Sequence, residues 1–138
     1  MTTSKQLTGM TGVYLVAAEL SWRGFIVSPT SRSAIGADLL VTDQLCQRSY
    51  SVQVKTNAST FAFWLVGAKA KQIVSDTHLY VLVNLRKNGR ETEYFVVPSQ
   101  VVAEKMMIRK RRSSTWYSFQ MADAEAYRER WDLFGSPT

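Results

Sequence analysis

The chain is short of the residues that carry much enzyme chemistry. Its 138 residues include one cysteine, Cys46, and one histidine, His78. A lone cysteine makes no internal disulfide, which fits a reducing cytoplasm. A zinc centre built from His and Cys would have at most two such ligands here. A Ser-His-Asp triad would rest entirely on His78. There is no GxxxxGK[ST] run, and so no P-loop. No apolar run reaches the roughly 18 residues of a membrane span. The opening "MTTSKQLTGMTG" has no apolar stretch of the kind a secretory signal needs. No Pro/Gly/Ser-rich linker, internal repeat or low-complexity tract divides the chain, so one domain over residues 1–138 is expected.

Acidic residues are also in deficit. Lys and Arg number 17 against 11 Asp and Glu, a formal net charge of +6. A basic balance in a small chain favours polyanionic partners, nucleic acid first. Hydrophobic residues make up 46% of the chain, enough for a packed core rather than disorder.

Periodicity predicts the elements. Residues 1–12 read as a polar lead-in, with Thr11-Gly12 as a helix cap. "VYLVAAELSW" (13–22) sets Val13, Val16, Ala17 and Leu20 on one helical face, and Arg23-Gly24 ends it. "FIVS" (25–28) is a short strand stopped by Pro29. "ADLLVTD" (37–43) and "SYSVQVKT" (49–56) flank "QLCQR" and predict an antiparallel hairpin. An extended aromatic segment from 61 leads to a short helix over 67–74, and "HLYVLVNL" (78–85) reads as a central strand buried on both faces. "KNGR" (87–90) supplies an Asn-Gly turn into "TEYFVV" (92–97). Ser99 is expected to cap a helix through about Met107, with "RKRR" (109–112) at its end. A strand over 114–121 and a helix over 123–135 close the chain, the latter with Ala124, Tyr127, Trp131 and Phe134 inward. The fold class is α/β or α+β, a mixed sheet flanked by helices.

Strand alternation sharpens the hairpin. Ser51, Gln53 and Lys55 share one face, and Tyr50, Val52 and Val54 the other. A hairpin centred near Leu45-Cys46 pairs residues whose numbers sum to about 91, which sets Asp38 opposite Gln53 and two residues from Lys55. Asp38, Gln53 and Lys55 therefore converge. Glu19, one helical turn from Leu15 and Val16, is a candidate fourth member, because a carboxylate on that face is costly unless a cation answers it. A carboxylate, an amide oxygen, the Val54 carbonyl and a second carboxylate are hard oxygen ligands suited to Mg2+ or Mn2+. A lysine beside them would orient or deprotonate water, or neutralise charge on a phosphate. The same residues also fit a plain cross-strand salt bridge between Asp38 and Lys55, with Glu19 a solvent-facing helical charge.

"GADLLVTD…YSVQVKT" resembles the core motif of the PD-(D/E)XK, or restriction-endonuclease-like, nucleases. In that family an acidic residue begins the second core strand, (D/E)-x-K lies on the third, and a Glu from the first helix often joins them. Glu19, Asp38 and Gln53-Val54-Lys55 follow that order. The resemblance covers about residues 13–85, an αβββαβ core, with 86–138 as a C-terminal elaboration. It implies a Mg2+- or Mn2+-dependent DNA endonuclease of resolvase or restriction/homing type, with Asp38, Gln53, Glu19 and Val54 as ligands and Lys55 as the catalytic cation. Two departures stand out. Ala37 replaces the Pro that often precedes the Asp, and Gln53 replaces the usual acid, which removes one charge from the cation site.

Arg23 and Arg32, in "RGFIVSPTSRS", and the run Arg109, Lys110, Arg111, Arg112 are candidate phosphate contacts. Trp64 and Trp116 are either stacking platforms or core aromatics. His78 reads as structural and Cys46 as an inert turn residue. The need to cut two strands points to a homodimer. Two alternatives stay open: a nucleic-acid-binding module with a decayed site, and a protein with no nucleic-acid partner in which the cluster is structural.

Overall fold

The computed structural model describes residues 4–31, 34–86 and 90–138. Arg32 and most of the expected Asn-Gly turn (Lys87, Asn88 and Gly89) lie outside the described residues. In chain order the elements are α1 (Ser4–Trp22), β1 (Ile26–Pro29), β2 (Leu39–Thr42), β3 (Ser49–Asn57) and β4 (Phe63–Leu65). A 3-10 turn (Ala68–Lys71) leads into β5 (His78–Asn84), β6 (Glu93–Pro98), α2 (Ser99–Lys105), β7 (Met107–Lys110) and β8 (Thr115–Gln120). α3 (Met121–Ala124) and two 3-10 turns (Glu125–Tyr127 and Trp131–Phe134) complete the chain.

A five-stranded sheet runs β1-β2-β3-β5-β6. β3 and β5 are parallel and the other neighbours antiparallel, so the sheet is mixed. A second sheet, β4-β8-β7, is antiparallel. The β2–β3 hairpin has the expected register: Leu39 faces Val52 and Thr42 faces Ser49. β5 is buried at every residue, because each face of the sheet carries its own core. On one face Val16 and Leu20 of α1 meet Leu39, Val52, Val54 and Val81. On the other, the second sheet and α2 bring Trp64, Phe119 and Val102 against Tyr80, Leu82 and Phe95. Each fully buried aliphatic or aromatic side chain contributes about 1.5–3 kcal/mol. No helix among the described residues is long and apolar enough to cross a membrane.

Four local expectations are corrected. First, α1 begins at Ser4, not Val13, and Thr11 and Gly12 lie inside it rather than capping it. The Thr11 hydroxyl donates back to the Leu7 carbonyl at 2.7 Å. Gly12 is buried against β3, and a Cβ there would collide with Thr56 Oγ1. Close helix–sheet approach, not helix termination, explains this glycine. Second, Ser99 is the first residue of α2 and makes no cap. Its hydroxyl donates to the Ser75 carbonyl (3.0 Å) and accepts the Ser75 N–H (3.1 Å). Third, Arg109 and Lys110 lie on β7, not at a helix terminus, because Arg109 pairs with Trp116 and Lys110 with Thr115. Fourth, the 123–135 helix is broken. Ala124 packs in the second core, and Trp131 and Phe134 in the first. The chain therefore crosses the β6 edge of the sheet, with Arg128 bridging Phe95 and Glu129 at φ +54°. No straight helix reaches both faces.

Candidate active site

The site forms where β2 and β3 part. Their pairing ends at Leu39–Val52. One residue earlier, the Asp38 N–H still donates to the Val52 carbonyl at 2.7 Å. The half-buried Asp38 side chain then takes the place of a strand. Its Oδ2 accepts the Val54 N–H at 2.8 Å and Gln53 Nε2 at 2.9 Å. Hydrogen bonds to an ionised acceptor are the stronger kind, so the carboxylate is firmly held. Among the described residues, the Gln53 and Val54 donors both converge on Oδ2. The N–H and C=O of one residue face the same side of a strand, so the Val54 carbonyl faces the same unpaired edge.

Lys55 shares the face of Gln53 and Ser51, opposite the α1 core. It lines a cleft of about 580 Å³ at the C-terminal end of β3. Lys5 and Thr8 of α1 form one wall, and Phe61, Phe63 and Trp116 another. Asn57 ties the walls to the sheet: its Nδ2 donates to the Phe63 carbonyl (3.0 Å) and to Asn84 Oδ1 (3.3 Å). A carboxylate fixed at the strand fork and a lysine two residues beyond Gln53, lining a cleft, suit chemistry on an anionic ester.

No protein-family model matches the sequence, and no curated protein matches it. Solved structures do match. A bacterial homing endonuclease superposes with a TM-score of 0.62 at 15% identity, covering 96% of this chain and 91% of that one. A Holliday junction resolvase from the archaeal hyperthermophile Archaeoglobus fulgidus superposes with a TM-score of 0.58 at 12% identity, covering 93% and 96%. The fold is shared with nucleases. It is the mixed, helix-flanked sheet expected from the resemblance. Identity this low speaks of fold alone and transfers no residue's role.

The remaining candidates are not gathered at Asp38. Glu19 sits on α1, on the opposite face of the sheet, and its Oε1 accepts Arg23 Nε at 3.0 Å. Glu19 also lies near Tyr94, whose hydroxyl is held above its usual range by burial, then by the Glu19 and Glu129 charges. Among the described residues no three His, Cys, Asp or Glu side chains cluster as a cation site. A cation held by Asp38, Gln53 and the Val54 carbonyl would have one carboxylate among its ligands. Arg23 stacks over Trp131 at 5.1 Å. Arg109, Lys110, Arg111 and Arg112 are exposed along β7 and its turn, and Arg111 lies 5.5 Å over Trp116.

Of the two tryptophans in question, Trp64 is core, its Nε1 donating to the Val83 carbonyl at 3.0 Å. Trp116 is 42% exposed and lines the cleft. His78 is buried, with Nδ1 2.7 Å from Ser51 Oγ. The sequence reading overlooked Lys5, Thr8, Phe61 and Phe63. The first two were hidden by the misplaced helix start. The alternating aromatics of "FAFW" were the available signal for the others.

Proposed function

We propose that the chain is a divalent-cation-dependent DNA endonuclease, acting in the cytoplasm as a homodimer. The observation that carries this is the Asp38 carboxylate pinned at the strand fork by Gln53 and Val54, with Lys55 two residues beyond Gln53 on the same strand face and lining a cleft. The donor set fits Mg2+ or Mn2+: Asp38 Oδ1, the Gln53 amide oxygen and the Val54 carbonyl are hard oxygens from neighbouring positions of the strand fork. When bound, the cation supplies positive charge against the phosphate. The protein's own residues do the rest. Gln53 Nε2 and the Val54 N–H hold the carboxylate still. The Lys55 ammonium donates to a phosphate oxygen and offsets the charge that develops there. Arg109, Lys110, Arg111 and Arg112 track the backbone, and Arg32 stays in this set from the sequence alone.

The test is incubation with linear, supercoiled and branched DNA in Mg2+, Mn2+ or chelator. Lys55→Ala should lower cleavage by about 100-fold or more with its melting temperature retained, since Lys55 lies outside both cores. A wild-type rate in the variant removes Lys55 from catalysis. A second reading, a binding module in which Asp38 only stitches β2 to β3, is favoured by the two N–H groups its Oδ2 already accepts. Under that reading Asp38→Asn lowers stability, leaves a Mn2+ titration unchanged, and no DNA is cut.

A further inference from the structure

The cleft beyond Lys55 holds more than a phosphate needs. Phe61 is 53% exposed and Trp116 is 42% exposed, although Trp64 in the same aromatic run is fully packed away. Trp116 is braced by Phe63, with ring centroids 6.4 Å apart at 55°, and by Arg111 over its ring. Lys5 and Lys55 add two cations, and Thr8 a hydroxyl. A cavity of about 580 Å³ lies in the range of small-ligand pockets.

We infer that this cleft binds an unstacked nucleobase from a single-stranded or branch-point segment, stacking it on Trp116 beside the phosphate that Lys55 contacts. Aromatic rings accept any base face, because every base has one. Bases inside a duplex have both faces covered by neighbours, so an intact duplex offers nothing to the platform. Rings already braced by neighbours lose little freedom on binding. The lysines answer the flanking phosphates, in keeping with the net charge of +6. The inference rests on the hydrolytic reading above for the position of the scissile phosphate.

The experiment uses the full chain in chelator, so that binding is read without cutting. The probe is a short single-stranded oligonucleotide carrying one 2-aminopurine, alongside its blunt duplex. The single strand should bind more tightly, with fluorescence quenched on stacking. Trp116→Ala should weaken single-strand binding by about tenfold or more and abolish the quench. Trp116→Phe should keep the quench, and Trp22→Ala, at the far end of α1, should change neither. Equal binding of both probes, or an undiminished quench in Trp116→Ala, overturns the inference. So does a Trp116→Ala protein that loses self-association while binding DNA as before, which would make the cleft a contact between copies. Cleavage in Mg2+ is scored separately. Cutting without a quench keeps the nuclease and removes the base site. A quench without cutting keeps base stacking and removes the nuclease.

Discussion

Gln53→Glu tests the strand fork most directly. In the native fork Gln53 Nε2 donates to Asp38 Oδ2 at 2.9 Å. Glutamate removes that donor and sets a second carboxylate against the first. Loss of a hydrogen bond to a charged acceptor costs about 1.5–3 kcal/mol. Two full charges 4 Å apart repel by about 4 kcal/mol at an effective dielectric of 20, but one carboxyl escapes this by taking up a proton. A cation-free loss of roughly 2–3 kcal/mol follows, on the order of 10 °C in melting temperature for a chain of this size. This loss is expected whether or not the fork binds a cation, because the hydrogen bond exists without one. The cation separates the cases. Two facing carboxylates bind Mg2+ more tightly than one, and a cation at about 100 times its Kd returns about 2.7 kcal/mol. Melting curves of wild type and variant, each with and without Mg2+, read this out. The variant should begin lower and gain more. Lowering the pH should also narrow the cation-free gap, as one shared proton restores a donor. A variant that starts lower and gains no more from Mg2+ than wild type refutes a cation site at Asp38 and Gln53.

Gly12→Ala should destabilise by about 1–3 kcal/mol through overpacking against Thr56, and Thr56→Ala should recover part of it. Helix propensity alone demands the opposite, a gain of about 1 kcal/mol, so a more stable Gly12→Ala protein would refute the close-packing account. His78 should make stability depend on pH. Burial lowers its pKa below the ordinary 6.5, partly offset by its bond to Ser51. The unfolded chain therefore takes up a proton as pH falls through about 6.5 while the native ring stays neutral. Stability is full above 6.5 and declines from there toward the lowered native pKa. Melting temperatures at pH 7.5 and 5.5 should diverge less in His78→Phe than in wild type, and equal divergence would remove His78 as the cause.

Much of the sheet was legible because its signals are local. Asp38 met Gln53 because a short connection between two strands of clear alternation leaves little freedom of register. β5 read as central because seven consecutive buried residues have no solvent-facing alternate set. The failures share a tertiary origin. Gly12 looks like a helix boundary until Thr56 is placed against it. The residues read as the inner face of the last helix are buried or partly buried, yet they belong to two cores on opposite sides of the sheet. Periodicity reports burial and is blind to which core receives it. Glu19 is a candidate beside Asp38 because a carboxylate on an apolar helical face calls for a cation, and that argument does not say which: here Arg23, one turn on, answers it.

The C-terminal crossing also bears on how the sheet ends. A sheet has two borders where unpaired backbone invites another chain. At β6 the crossing segment occupies that border: Arg128 bridges Phe95, and the Glu129 N–H donates to the Tyr94 carbonyl at 2.9 Å. Trp131 and Phe134 then anchor the segment in the first core, so peeling it away would uncover a strand edge and a hydrophobic hollow at once. The opposite border is β1, only four residues long and ending in Pro29, which has no N–H to offer. One border is strapped shut and the other is too short to template much, so this sheet stops growing at five strands.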